Sequence, residues 1–389
     1  TNSRGVSRLM ALTLHGTVAN NTAVLSRRNA NPLIINGDMA VAQRGTSFTS
    51  QTGVAYHLDR YEVSGYNMGD GVYRVDQSTN VPAGQGFSKS CKVYCTTADA
   101  SQDANNQFYF QTQLEGTDTS LLNYFVASPD TITLAFWVRS NRTGTHSLAL
   151  KLSDNGSVEN NTATRIYHKL YTISSANTWE KIVCAIPLDS STSETKVTGT
   201  GFAVAVQFWL GAGTNRDGAA ADQWLGNGNA TTASANEDML ASTSNDWFIT
   251  GLQMEVGNFD VNSIPPFQHE SFGDSLQRCQ RYFQKSYDYD VAPGTSGTIV
   301  GSVATNNMAS TGNYVPFWHC KFTTEMRDNP TVTTFDYSGN SGKINGPSNA
   351  SITSVLIAIG MSGFNVYNGS GSSVSGGDYY CSFKAESEL

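Results

Sequence analysis

Short runs that alternate apolar and polar residues recur along this chain, and no other feature restricts its fold so strongly. Thr131–Val138 is one such run. Others are Val72–Val75, Phe108–Thr112, Ser147–Leu152, Arg165–Ile173, Trp179–Ile186 and Phe202–Leu210, and Trp247–Val256 reads as a closing strand. A period of two puts alternate side chains on one face of a strand. Between the runs lie clusters of Gly, Asn, Asp and Ser, which favour turns. Many strands with turn-rich connections and no intervening helical pattern specify an antiparallel sandwich or barrel. Leu33–Ile35 is expected to open a strand before an Asn36-Gly37-Asp38 turn. The β pattern resumes from Ile299, at Val315–Phe322, Pro330–Thr334, Ile352–Ile359 and Tyr379–Ala385.

One segment has a different period. Phe272, Leu276, Cys279 and Phe283 stand at i, i+4, i+7 and i+11, one face of a helix within Pro265–Ser286. Ser271 and Asp274 have capping-box spacing. The stripe must bury, so the joint is expected to be packed. A chain of 389 residues suits two domains of about 100–200 each. The division expected is an arm at 1–30, a β-sandwich domain at 31–264, a helical joint at 265–288 and a smaller β domain at 289–389. The fold class is mostly β. The stretch 211–245 is long for a loop and is read as functional or mobile.

Charge narrows the partners. Charged residues make up 14% of the chain and the net charge is -8, which argues against nucleic acid. Arg4, Arg8, Arg27 and Arg28 make the first 30 residues locally basic, either a docking arm or a solvated tail. No apolar run approaches the ~18 residues of a membrane span, and Leu9–Leu14 is too short for a signal peptide. The six cysteines alternate with apolar neighbours and read as core fillers, which suits a reducing place of assembly. A disulfide framework remains an alternative.

Several motifs carry a resemblance. They are Asn31–Gly45, Tyr56-His57-Leu58-Asp59-Arg60-Tyr61, Phe108–Gly116, Ile249–Gly257, Pro266–Gly273, Cys279–Ser286 and Ala385-Glu386-Ser387-Glu388-Leu389. In this order the chain resembles a family of tailed-bacteriophage tail fibre or virion structural proteins. Tyr61 replaces a usual Trp and Met254 a usual Leu. The resemblance covers about Asn31 to Leu389. It implies a galactose-binding-like jelly roll of the carbohydrate-binding-module type, then a small β domain, in a homo-oligomer, a trimer, displayed on a virion assembled in the host cytoplasm. Residues 1–30, with Arg4, Arg8, Arg27 and Arg28, become the candidate attachment arm to other virion proteins. A head fibre or capsid decoration protein, a polysaccharide depolymerase and a secreted lectin are the alternatives.

Catalytic motifs are absent. There is no Gly-x-Ser-x-Gly elbow, P-loop or zincin spacing. Asp217, Asp222, Glu237 and Asp238 are loop acids that a glycosidase could pair, though a chain with 32 acids offers such pairs by chance. The chain is therefore read as non-enzymatic. For host-glycan contact the candidates are Trp224 with Asp222, Asn227 and Asn229, and less clearly Tyr66 and Tyr73, because sugars stack on aromatic faces while amides and carboxylates read hydroxyls. The competing reading of Trp224 is a ring folded over the sandwich edge. No organic cofactor is expected. A structural Ca²⁺ has Asn36, Asp38, Asp246 and Glu255 as candidate ligands, and an Asx turn at Asn36 and Asp38 is the competing reading.

Overall fold

In the computed structural model, residues 30–99, 101–157, 163–226, 238–305, 318–368 and 377–389 are described. Arg4, Arg8, Arg27, Arg28, Asn227, Asn229 and Glu237 lie outside them. Strands are numbered in chain order. One antiparallel sheet runs β1 (Ser47–Gln51), β4 (Val72–Ser78), β5 (Ser90–Thr97), β13 (Asp246–Val256), β7 (Thr131–Ser140), β10 (Glu180–Pro187). A second runs β12 (Trp224–Gly226), β9 (Ala163–Ile173), β8 (Gly144–Ser153), β11 (Phe202–Ala212), β6 (Gln107–Glu115), β3 (Tyr61–Tyr66), β2 (Ala55–Tyr56).

Alternation decides what lies between these two sheets. Val75, Cys91, Val93, Ile132, Leu134 and Phe136 of the first meet Phe108, Phe110, Leu148, Leu150, Val204, Val206 and Phe208 of the second in one core. Phe136 meets Phe208 at 4.9 Å between ring centroids, and Trp247 meets Phe110 at 5.5 Å. Each such side chain contributes about 1.5–3 kcal/mol of burial. The result is a jelly-roll sandwich.

The remaining strands form a smaller, sandwich-like β unit. Its order is β14 (Phe283–Lys285), β21 (Tyr379–Glu386), β18 (Lys343–Asn345), β19 (Ser351–Gly360), β20 (Gly363–Asn368), β16 (Trp318–Lys321). The strands β15 (Val303–Thr305) and β17 (Thr331–Phe335) also pair with β21. Cys320, Phe322, Met326, Phe364, Cys381 and Phe383 fill its core. All six cysteines are buried and free.

Among the described residues there is one α-helix, α1, which spans Phe272–Gln280 and is capped by Ser271, whose hydroxyl accepts from Asp274 N at 3.2 Å. It is shorter than the periodicity suggests. Phe283 is not helical: it lies in β14, paired with Glu386 of β21. Phe272, also placed on the stripe, is 48% exposed. The face that does bury carries Cys279, which packs with Tyr282, Ile35 and Val41 and, partly, Leu276. Leu33–Ile35 is likewise not a strand but a buried turn. Asn36 sets it, accepting from Val41 N at 2.8 Å and donating to Val41 O and Asp59 O. No helix among the described residues is long and apolar enough to cross a membrane.

Candidate functional site

The residues expected to touch a glycan do not form one site. Trp224 lies in β12, at the edge of the second sheet, and its indole packs on the core beside Tyr167. Its Nε1 donates to Pro187 O at 2.8 Å, so the ring closes the sandwich edge. Asp222 is held by Lys169 Nζ at 2.6 Å. Tyr66 ends β3, and four strands of the sheet stand between β3 and β12, about 24 Å at the usual strand spacing. Tyr73 is a correction: it is fully buried, donates to Gly53 O at 2.7 Å, and offers no face to a sugar.

The calcium set does not fit one ion either. Asp246 and Glu255 stand near opposite ends of β13, about 30 Å apart along an extended strand. Asp246 pairs instead with Lys92 and Arg139. Asn36 spends its amide on the turn, and Asp38 accepts from Ala40 N at 3.3 Å. No group of three or more His, Cys, Asp or Glu suited to a metal occurs among the described residues. Of the loop acids, Asp238 caps a 3-10 turn through Leu240 N, and Asp217 accepts from Gly218 N.

The outer face of the second sheet is rich in polar chemistry but closed. Gln207 donates to Gln111 at 2.8 Å and Gln111 to Glu62 at 2.9 Å, while Tyr109 and Trp209 pack at 4.9 Å. All five side chains are buried.

The outer face of the first sheet is open, and it carries a groove of about 360 Å³. Strand register builds its floor. Trp137 points outward because Phe136 and Val138 point into the core. Lys181 of β10 sits directly across from Trp137, and Gln253 of β13 across from Ala135. Directly opposed residues place their Cβ atoms about 4.5–5.5 Å apart, and the small Ala135 leaves room between them. Gln253 reaches this face through a bulge, since the β13–β7 register shifts between Thr250 and Gln253. Gly251 supplies the bulge with a φ of +63°, and a Cβ there would come within 2.6 Å of the Phe87 ring.

The walls are aromatic. Phe87, Phe267 and His269 pack mutually with centroids 4.8–5.2 Å apart. Gln85, Asn262, Ile264 and Pro266 complete the lining. Gln253 Nε2 donates to Pro265 O at 3.0 Å, which leaves its buried Oε1 without a donor. Burial pulls the Lys181 pKa below the ordinary lysine value. None of the groove residues was among the expected ones. The available signal was Trp137, the large aromatic at an outward position of the Thr131–Val138 alternation.

Fold and groove together define a class: a mostly β protein whose jelly-roll sandwich carries an aromatic groove on its outer surface and is joined through α1 to a smaller β unit. No family model matches the chain, and no curated protein matches it. Among solved structures it is similar to a putative sugar binding protein from Bacteroides thetaiotaomicron VPI-5482, at 13% identity and a TM-score of 0.31, covering 58% of this chain and 100% of that one. It is also similar to the family 11 carbohydrate-binding module of the cellulosomal cellulase Lic26A-Cel5E of Clostridium thermocellum, at 10% identity and a TM-score of 0.30, covering 54% and 98%. The CBM22-1 xylan-binding domain from Paenibacillus barcinonensis Xyn10C matches at 10% identity and a TM-score of 0.26, covering 59% and 97%.

Proposed function

We propose that this chain is a non-enzymatic structural and adhesion protein of a virion, a tail fibre or similar appendage, that contacts a host saccharide through the groove on the first sheet. The groove carries this reading. It pairs a half-buried aromatic platform, Trp137, with polar groups from Lys181, Gln253 and Asn262, the combination that binds sugar rings. Its lining contains no Asp or Glu, whereas hydrolysis of a glycosidic bond uses an opposed carboxylate pair. The virion setting rests on the sequence motifs, with residues 1–30 as the attachment arm and a homotrimer as the displayed form.

The test is binding of the purified chain to host-surface polysaccharide. Trp137→Ala is expected to weaken it about tenfold or more without altering thermal unfolding. Release of reducing ends from the polysaccharide would overturn the non-enzymatic reading. Failure of any binding would overturn the adhesive one. For the arm, a chain lacking residues 1–30 should fold and yet be missing from assembled particles.

A further inference from the structure

We propose that the saccharide taken by this groove is anionic, bearing a carboxylate or sulfate beside a pyranose ring; this rests on the saccharide-binding reading above. The first support is local charge. The chain has 32 acidic residues against 24 Lys and Arg, yet the groove is lined by Lys181 and His269 and by no carboxylate. A groove whose one charged lining group is a lysine attracts anions at that place on an otherwise acidic chain.

The second support is the state of Lys181. It is half-buried on the floor and makes no ion pair or hydrogen bond with the described residues. Elsewhere on this sandwich, Lys92, Arg139 and Lys169 are each matched by an acid. A half-buried ammonium without an acid is left to water in the open groove and is free to pair with an anion that enters.

The third support is Gln253. Its amide nitrogen is committed to Pro265 O, so its orientation is set and only the acceptor Oε1 remains. The floor thus offers one cationic donor and one neutral acceptor at neighbouring register positions beside the Trp137 ring. A ring stacked on Trp137 satisfies both when it carries an acidic substituent toward Lys181 and a hydroxyl toward Gln253. A neutral sugar can also meet both, but its hydroxyl accepts from the Lys181 ammonium without supplying a counter-charge, and that hydrogen bond is the weaker one.

The experiment is calorimetric titration of the full chain with three probes: tetragalacturonate, a sulfated galactan tetrasaccharide and neutral β-1,4-galactotetraose. At least one anionic probe should bind about tenfold or more tighter than the neutral one, a ratio typical of one hydrogen bond to a charged group. The carboxylate and sulfate arms identify which acid is preferred. Lys181→Gln should abolish the preference, Lys181→Arg should retain most of it, and added salt should erode it. Thermal unfolding of each variant checks that it folds. Equal binding of neutral and anionic probes, or an unchanged ratio in Lys181→Gln, overturns the charge inference and leaves saccharide binding standing. Binding of none of the three overturns both.

Discussion

Arg60 stands in a backbone conformation that a residue with a side chain rarely adopts, at φ 72°, which costs of order 1 kcal/mol. Its side chain explains why the conformation persists. The guanidinium pairs with the Glu388 carboxylate, donates to Gln113 O, and lies 3.4 Å over the Tyr282 ring. Arg60→Ala keeps the strained turn, removes those contacts and leaves Glu388 partly unpaired. The expected loss is about 3–5 kcal/mol in urea unfolding, and Arg60→Lys should rescue little of it because an ammonium lacks the planar fork. Nearby, His57 is 1% exposed, and burial, with the Arg44 charge, pulls its pKa down to about 3. The folded protein keeps this ring neutral while an unfolded chain protonates it below about pH 6.5. Stability should therefore fall as pH drops from about 6.5 toward 3. His57→Gln should flatten that part of a melting-temperature profile; an unchanged slope would show that His57 titrates normally.

At the scale of elements, the start of α1 was legible and its end was not. Ser271 is an N-cap by residue type, and the structure uses it so. Ser271→Ala is expected to cost about 1 kcal/mol, whereas Phe272→Ala, at an exposed position that touches mainly the edge of Tyr289, should stay within about 0.5 kcal/mol. Chemical denaturation separates the two. The end was hidden because Phe283 satisfies two patterns. It continues the helical spacing, but its backbone pairs with β21, about a hundred residues later. Local periodicity carries no information about such a partner. The same limit applies to Leu33–Ile35, where an Asn36 staple overrides an apolar run. It also applies to the groove: alternation turns Trp137 outward, but the order β13–β7–β10 alone puts Lys181 and Gln253 beside it.

Over the whole molecule, residues of Asn31–Gly45, Tyr56–Tyr61, Phe108–Gly116, Cys279–Ser286 and Ala385–Leu389 meet at one place, the junction of the sandwich and the smaller β unit. Arg44 meets Asp59, Glu386 and Glu388, and Gln43 donates to Asp59 and to Phe283 O. Arg281 pairs with Glu115 at 2.8 Å, and Arg327 donates to Ser387 O, Glu388 O and Thr200 O. Tyr56 donates to Leu389 O, and Leu389 packs on Phe202 and Ala205. The chain leaving β21 is thus pinned to the sandwich by charge, backbone and apolar contact together. These segments build the joint, while the groove lies on a different face and draws Gly251, Gln253 and the 266–269 segment from Ile249–Gly257 and Pro266–Gly273. A joint fixed this firmly predicts that the two β units unfold together. Glu388→Ala combined with Leu389→Ala removes the pairs to Arg44 and Arg60 and the contact with Phe202 and leaves both cores intact. Calorimetry should then show a lower unfolding temperature and a broader transition than the parent's, since the pairs through Arg281, Gln43 and Arg327 still couple the two units but more weakly. A single transition at the parent's temperature would mean that the coupling runs through α1 and its contact with Ile35 and Val41 instead.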